Sequence, residues 1–467
     1  MIRTVFDHGT LVWSGDDIAA LVAAQPAAFK FDSRINGFRS RACDYAVILQ
    51  KLRSMKLELQ DDACAFNALN DLSLQETLVP RPHQQTAFDA WRKSSYRAVA
   101  ALPTGSGKTI LAVMAIARLK RSALVLVPTI DLMVQWANVL KRFFNVPVGM
   151  WGGGSSETCD ITVSTYNSAV LKMEFSGNRF AFLIADECHH LPGPANQLAA
   201  QWAIAPYRLG LSATPESDPA RDELLKDLMG DICCRIQIDE LSQGILSDYT
   251  VETIPLELSA SERAEYLQNR KIYIDFLHQH HLVMNSVRSW RNFIMEVARS
   301  GQAGRKAFEA YLKQKNIARS GEEKFRMVWE LIRRHGGERI IIFTADNAAA
   351  YELGRRYLLP VLTHHTKSAE RKNMLENFRT GECPVLVSSK VLNEGVDVPE
   401  ANIGIIVSGG ASVREHVQRL GRILRARPGK KAILYELVNA STSELSVSNR
   451  RREHRAYSSK VNGGSLC

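Results

Sequence analysis

The chain has 467 residues, 45% of them hydrophobic and 23% charged, with a formal net charge of +10. That length exceeds what one hydrophobic core serves, so two to four domains are expected, and the ordinary composition excludes a disordered or fibrous chain. A cation excess suits a polyanionic partner such as nucleic acid, although a solvated basic surface has the same composition.

No apolar run approaches the roughly 18 residues of a membrane span, and MIRTVFDHGTLVWSGDD lacks the apolar centre of a leader peptide. A protein neither exported nor membrane-bound, in the cytoplasm, is the expectation. The eight cysteines, at 43, 64, 159, 188, 233, 234, 383 and 467, form no CxxC pair. They point to a reducing compartment without a zinc site or iron–sulfur cluster.

Residues 1–75 have the pattern of a small mixed α/β module. TVFDHGTLVW alternates around a His-Gly turn as a hairpin does, and Tyr45, Ile48, Leu49 and Leu52 have helical spacing. Between them, Lys30, Arg34, Arg39 and Arg41 interleave with Phe31 and Phe38. Such a mixture suits phosphates and stacked bases, but a turn rimmed by solvated charges is the favoured reading.

VPRPHQQTAFDAW, residues 79–91, places Arg81 and Gln84 ahead of the next strand, where Gln84 could pair with an adenine edge. Then comes AVAALPTGSGKTILAVMAI, residues 98–116: a short apolar run, a Gly/Ser turn and an apolar helix. Leu102, Pro103, Thr104, Gly105, Ser106, Gly107, Lys108 and Thr109 form the turn of a nucleoside triphosphate cradle. Its glycines let N–H groups face phosphate oxygens, Lys108 reaches the β/γ-phosphates and the Thr109 hydroxyl holds Mg²⁺. The strict G-x-x-x-x-G-K-[ST] spacing has glycine where this chain has Leu102.

ALVLVPTIDLMVQW (123–136) and ITVSTYNSAV (161–170) are β-rich runs that break into polar turns, the ligand-binding edge of a doubly wound sheet. Thr129 and Thr165 there could meet a phosphate backbone, helix capping being the alternative. FAFLIADECHH (180–190) ends an apolar strand in paired acids. Asp186 can hold the Mg²⁺ shell and Glu187 can orient and deprotonate the attacking water. His189 has the place of a relay to the second substrate, and Ser212 and Thr214 of LGLSATPES can hydrogen-bond to the acid cluster.

LPTGSGKT, DECH and SAT, in this order, resemble the first RecA-like domain of a superfamily 2 helicase or translocase. FKFDSRINGFRS, the long segment after SAT and the second half of the chain resemble more narrowly the XPB group in its compact archaeal and bacterial form, over essentially the whole chain. The resemblance implies an α/β fold: two RecA-like parallel-sheet domains (76–250 and 336–445), an N-terminal DNA-contacting module (1–75), a helical thumb-like insertion (251–335) and a basic tail (446–467). It implies ATP and Mg²⁺ as cofactors and a 3′–5′ DNA helicase or translocase acting in repair as a monomer on duplex or forked DNA. A nuclease or repair-complex partner is implied too. An RNA helicase, or a non-unwinding translocase serving a nuclease, is the alternative. Members of the group carry an Arg-Glu-Asp element shortly after SAT, where this chain has Glu216-Ser217-Asp218-Pro219.

Residues 251 to about 335 have a helical, charged pattern with a capping box at Ser259-x-x-Glu262. As a thumb they would offer Lys271, Arg288, Arg291, Arg305 and Lys306 to phosphates, or else form a solvated linker. HQHH at 278–281 lacks a further ligand and fits a polar helix face. ERIIIFT (338–344) opens a second strand–helix alternation, in which Thr366, Arg371, Ser388 and Lys390 could touch the nucleic-acid backbone. Gly395 and Asp397 fall where the family's ATP-coupling loop lies. In EHVQRLGRILR (415–425), Gln418, Arg422 and Arg425 share a helical face, as arginine fingers on a γ-phosphoryl group would.

Overall fold

The structure, a computed structural model, describes residues 1–103, 105–213, 215, 218–236, 248–284, 287–389, 401–408, 431–442 and 444. The chain divides into two compact units, one carrying an N-terminal sheet and an eight-stranded sheet, the other a helical segment and a six-stranded sheet.

Five strands build the N-terminal sheet: β1 (Ile2–Asp7), β2 (Thr10–Gly15), β3 (Lys30–Asp32), β4 (Gly37–Arg41) and β5 (Leu59–Asp61), in the order β3-β4-β2-β1-β5. The expected hairpin is present. His8 and Gly9 join β1 to β2 with φ of 46° and 73°, the left-handed pair of a tight two-residue turn. Glycine is needed at the second position, because a Cβ on Gly9 would lie 2.3 Å from the Trp202 indole. The buried face of Ile2, Leu11 and Trp13 packs on Tyr45, Ile48 and Leu52 of the helix Tyr45–Ser54, as their spacing predicts.

The eight-stranded sheet comprises β6 (Arg97–Ala101), β7 (Ala123–Val127), β8 (Val148–Gly152), β9 (Ser155–Glu157), β10 (Ile161–Thr165), β11 (Phe182–Asp186), β12 (Tyr207–Ser212) and β13 (Ile232–Arg235). Its order is β13-β6-β12-β11-β7-β10-β8-β9, parallel except for β9. Helices cover both faces, so β7, β10 and β11 are buried along their whole length, and their continuous apolar runs follow from that. In register, Asp186 pairs with Leu211 and Leu211 with Ala100, so the loops after β6, β11 and β12 leave one edge at one level.

In the second unit, β14 (Asp248–Leu256), β15 (Ile340–Phe343), β16 (Val361–Leu362), β17 (Val385–Ser388), β18 (Ile403–Ile406) and β19 (Lys431–Asn439) form a parallel sheet in the order β14-β19-β18-β15-β17-β16. These are two RecA-like sheets. One expectation is corrected: residues 251–256 are not helical but belong to β14, which pairs with β19 over nine residues. Their β-branched Thr250, Val251, Thr253 and Ile254 favour a strand, while the pairing partner lies some 180 residues away in sequence. The helices Ala260–Gln279, Val287–Arg299, Gly301–Ser320 and Glu322–Arg334 follow, the first opened by the Ser259/Glu262 capping box. Tyr273, Phe276 and Phe293 form their aromatic core.

Candidate functional site

The loop after β6 turns inward because two glycines adopt conformations other residues avoid: Gly105 has φ 83° and Gly107 φ 82°. Leu102, which departs from the strict spacing, is buried and donates its N–H to the Ser212 carbonyl at 2.9 Å. Leu102 thus extends the β6–β12 ladder one residue before the loop begins. Pro103 accepts from the Ser106 hydroxyl at 2.7 Å, and Lys108 and Thr109 open the helix Lys108–Leu119. Thr104 lies outside the described residues.

Under this loop stands the N-terminus of the helix Pro82–Lys93. Gln84 accepts from the Arg81 N–H at 2.9 Å and donates to the Ser106 carbonyl at 3.0 Å. Its amide is therefore occupied at both ends, the oxygen by the helix cap and the nitrogen by the loop, and does not present the outward donor–acceptor pair expected for adenine. Arg81 is the exposed N-cap of that helix. His83, not anticipated from the sequence, places Nε2 2.8 Å from the same Ser106 carbonyl.

β11 delivers the acids. The Asp186 carboxylate accepts from Trp136 Nε1 at 2.8 Å and from the Glu187 N–H at 3.0 Å, while Tyr166 donates to the Asp186 carbonyl at 2.9 Å. Glu187 has φ 46°, and this left-handed kink turns its side chain out of the strand's alternation. Glu187 Oε1 lies 2.8 Å from Lys108 Nζ. His189 Nδ1 lies 3.0 Å from the Ser212 hydroxyl and 3.4 Å from Glu187 Oε2, so the Ser212 hydroxyl, expected on the acid cluster, meets His189 instead; Thr214 lies outside the described residues.

Burial pushes the Asp186 carboxyl up to about 6, Lys108 opposing and Glu187 adding to the rise. Burial also works against the Lys108 ammonium, but the charges of Glu187 and Asp186 outweigh it and its pKa is raised. A nucleoside triphosphate with Mg²⁺ fits these residues. Two left-handed glycines shape the loop, the lysine is held by a carboxylate that phosphate oxygens can replace, and a second carboxylate beside it is costly to ionise without a cation.

The structure distributes the remaining candidates unevenly. Thr129 and Thr165 cap helices, accepting from Leu132 N–H at 3.3 Å and Ser168 N–H at 3.2 Å, so the capping alternative describes their hydroxyls. Ser388 is corrected: it is fully buried with its hydroxyl on the Ser389 carbonyl, which leaves no side-chain group for a backbone phosphate. Thr366 and Arg371 are brought together, the guanidinium donating to the Thr366 carbonyl at 3.3 Å. Lys390, Gly395, Asp397, Gln418, Arg422 and Arg425 lie outside the described residues.

Lys271, Arg291, Arg305 and Lys306 are exposed on the helical segment. His280 pairs with Glu296 at 3.0 Å, and no group of three metal-ligating side chains occurs among the described residues. In the N-terminal module, Asp32 holds Arg34 at 2.7 Å and Arg39 at 2.8 Å. The charged turn favoured from the sequence is thus internally paired. It borders a groove of about 1000 Å³ beside the exposed Phe31, and Arg41 ties the groove to the first RecA-like sheet's helix Pro219–Met229 through Asp227 at 2.7 Å.

Three family models match the chain: the Xeroderma pigmentosum group B helicase damage recognition domain over residues 5–63, the type III restriction enzyme res subunit over 77–217, and the ERCC3/RAD25/XPB C-terminal helicase over 305–461. The chain is 34% identical over 430 residues to the DNA 3'-5' translocase XPB2 of Sulfurisphaera tokodaii, covering 92% of this chain and 97% of that one. It is 27% identical over 397 residues to the DNA 3'-5' helicase XPB of Mycobacterium tuberculosis, covering 82% of this chain and 64% of the relative. Among solved structures, the Pyrococcus furiosus Hef helicase domain aligns over 80% of this chain and 98% of its own with a TM-score of 0.51 at 18% identity. The S. cerevisiae Dbp5 bound to RNA and ADP BeF3 aligns over 88% and 90% with a TM-score of 0.55 at 14% identity. These two likenesses concern the fold.

Proposed function

The chain belongs to the XPB family of superfamily 2 DNA helicases, and we propose that it couples ATP hydrolysis at Lys108, Asp186 and Glu187 to 3′–5′ movement along duplex or forked DNA in repair. It is an ATP-dependent DNA helicase or translocase. The observation that carries the catalytic reading is the Lys108–Glu187 pair at 2.8 Å beside the buried Asp186, under a loop with two left-handed glycines.

ATP bound in the cradle supplies the transferable γ-phosphoryl group. Lys108 exchanges Glu187 for phosphate oxygens; Thr109 and Asp186 would hold Mg²⁺. Glu187, released from the ammonium, orients the attacking water and takes its proton. His189, bonded to Ser212, carries the change from the acid to the loop after β12. Gln418, Arg422 and Arg425 remain the proposed γ-phosphate contacts, with Gly395 and Asp397 in the coupling loop. Thr366, Arg371 and the exposed cations of the helical segment are the proposed DNA contacts, acting in a monomer. A reducing cytoplasm and a nuclease or repair-complex partner complete the reading.

Translocation without strand separation is a second reading, favoured by one observation. Where the family carries Arg-Glu-Asp, Asp218 is the N-cap of the helix Pro219–Met229 and accepts from the Arg221 N–H at 3.1 Å. A carboxylate occupied as a cap is a poor wedge between bases. The test is steady-state ATP hydrolysis with no polymer, single-stranded DNA, duplex DNA and structured RNA at two salt concentrations. Stimulation by DNA that weakens with salt supports the assignment. Stimulation by RNA alone would move the activity to RNA.

A further inference from the structure

Glycines at 105 and 107 let the loop turn, but they also leave the peptide units around Ser106 free to rotate. A phosphate cradle needs those N–H groups held in one direction before the anion arrives. Something outside the loop has to supply that restraint.

Two side chains from the helix Pro82–Lys93 converge on a single atom. His83 Nε2 lies 2.8 Å and Gln84 Nε2 3.0 Å from the Ser106 carbonyl oxygen. A carbonyl only accepts, so His83 Nε2 carries the proton. His83 is 7% exposed, and its Nδ1 is buried without a hydrogen-bond partner among the described residues. In a trans peptide the carbonyl oxygen and the following N–H point to opposite sides of the chain. Drawing the Ser106 carbonyl toward the helix Pro82–Lys93 thus turns the Gly107 N–H away from that helix. The approach is close: a Cβ on Gly107 would lie 2.3 Å from Gln84 Nε2.

We propose that His83 is a positioning residue of the phosphate cradle, its Nε2–H fixing the Ser106–Gly107 peptide so that the Gly107 N–H is preset for the nucleotide's phosphates. This rests on the ATP-site reading. His83 itself touches no phosphate. The assignment separates it from Gln84, whose amide is already committed to the Arg81 N–H and so shares one geometry with the helix cap.

The test compares three variants of the full chain by equilibrium binding of a non-hydrolysable ATP analogue, with thermal unfolding followed in parallel. His83→Phe keeps a flat ring but removes the donor. His83→Asn keeps polarity but places its N–H near Nδ1, and His83→Gln restores a donor near Nε2. Loss of one hydrogen bond to a buried carbonyl predicts about tenfold weaker binding for Phe and Asn, with Gln within about twofold of wild type. The proposal is overturned if Phe and Asn bind as wild type does, or if Gln is as weak as Asn. If the Phe variant does not fold, the Asn–Gln contrast decides alone. Lys108→Ala is the control on the parent reading. Weak binding by Lys108→Ala with wild-type binding by Phe and Asn sinks only the His83 role, whereas unchanged binding by Lys108→Ala sinks the ATP site itself.

Discussion

Each RecA-like unit contains a lysine–glutamate pair close to the carboxyl edge of its sheet, and the two pairs do opposite work. Lys108 and Glu187 lie 2.8 Å apart, each with a side chain 11% exposed, beside the buried Asp186. Lys324 and Glu444 lie 2.6 Å apart at 0% and 5% exposure. There the ammonium also donates to the Val407 carbonyl at 2.7 Å, and Glu444 accepts from the Asn439 N–H at 3.2 Å. The second pair clamps the helix Glu322–Arg334 to the chain following β18 and β19. The first pair is partly exposed and has a surplus carboxylate beside it, and in the proposed ATP site an incoming polyanion and cation would take it apart. Chemical identity does not decide between clamp and site; the surroundings do.

The largest way to break this contrast is at Lys108 or Glu187. Lys108→Ala and Glu187→Gln are each expected to lower DNA-stimulated turnover by about 10³-fold or more, and Glu187→Gln, which leaves Lys108 the charge of Asp186, is expected to change the unfolding midpoint little. A large loss of stability with turnover retained would mean that this pair, too, is a clamp. Next comes Lys324→Ala, which leaves Glu444 buried without its cation and should cost about 3–5 kcal/mol by denaturant titration. Joint replacement, Lys324→Met with Glu444→Leu, is expected to cost less than either single change to alanine; additive losses would show that the pair is not a closed unit.

A smaller effect sharpens the electrostatics. The folded pKa of Asp186 is raised to about 6, above its unfolded value, so the ionised carboxylate weakens the fold at neutral pH and the cost fades as pH falls through 6 toward 4. Asp186→Asn should therefore raise the midpoint by about 2–4 °C at pH 7.5 and by nothing near pH 4, while turnover is lost. A destabilised Asn variant at pH 7.5 would place the stabilising role on the carboxylate. Smallest of all is the pair Arg142–Glu76, 2.7 Å apart with side chains 66% and 41% exposed. Arg142→Ala is expected to leave the denaturant midpoint unchanged, because solvent screens the same pair of charges.

What is legible in the sequence is what is local. The His8-Gly9 turn, the Ser259/Glu262 box, the loop glycines and the acids ending β11 all follow from neighbours a few residues apart. Strand β14 escapes such a reading because its nine partners in β19 lie far along the chain. The Lys324–Glu444 clamp spans 120 residues and the Arg41–Asp227 link 186, with no pattern in either segment to announce them. His83 stands in plain view beside Gln84. Its role depends on the helix Pro82–Lys93 starting directly beneath the loop, a placement set by packing of Ala87 and Trp91 into the sheet's core.

The most direct test of the account is one variant, Glu187→Gln, assayed for duplex-DNA-stimulated ATP hydrolysis and for binding of a non-hydrolysable ATP analogue in the same preparation. Hydrolysis lost with binding kept at least as tight as wild type is the expected result, since a neutral amide in place of the carboxylate would release Lys108 to the phosphates without being able to take a proton. Hydrolysis at the wild-type rate in the folded variant would contradict it, and with it the assignment of this site as the motor's catalytic centre.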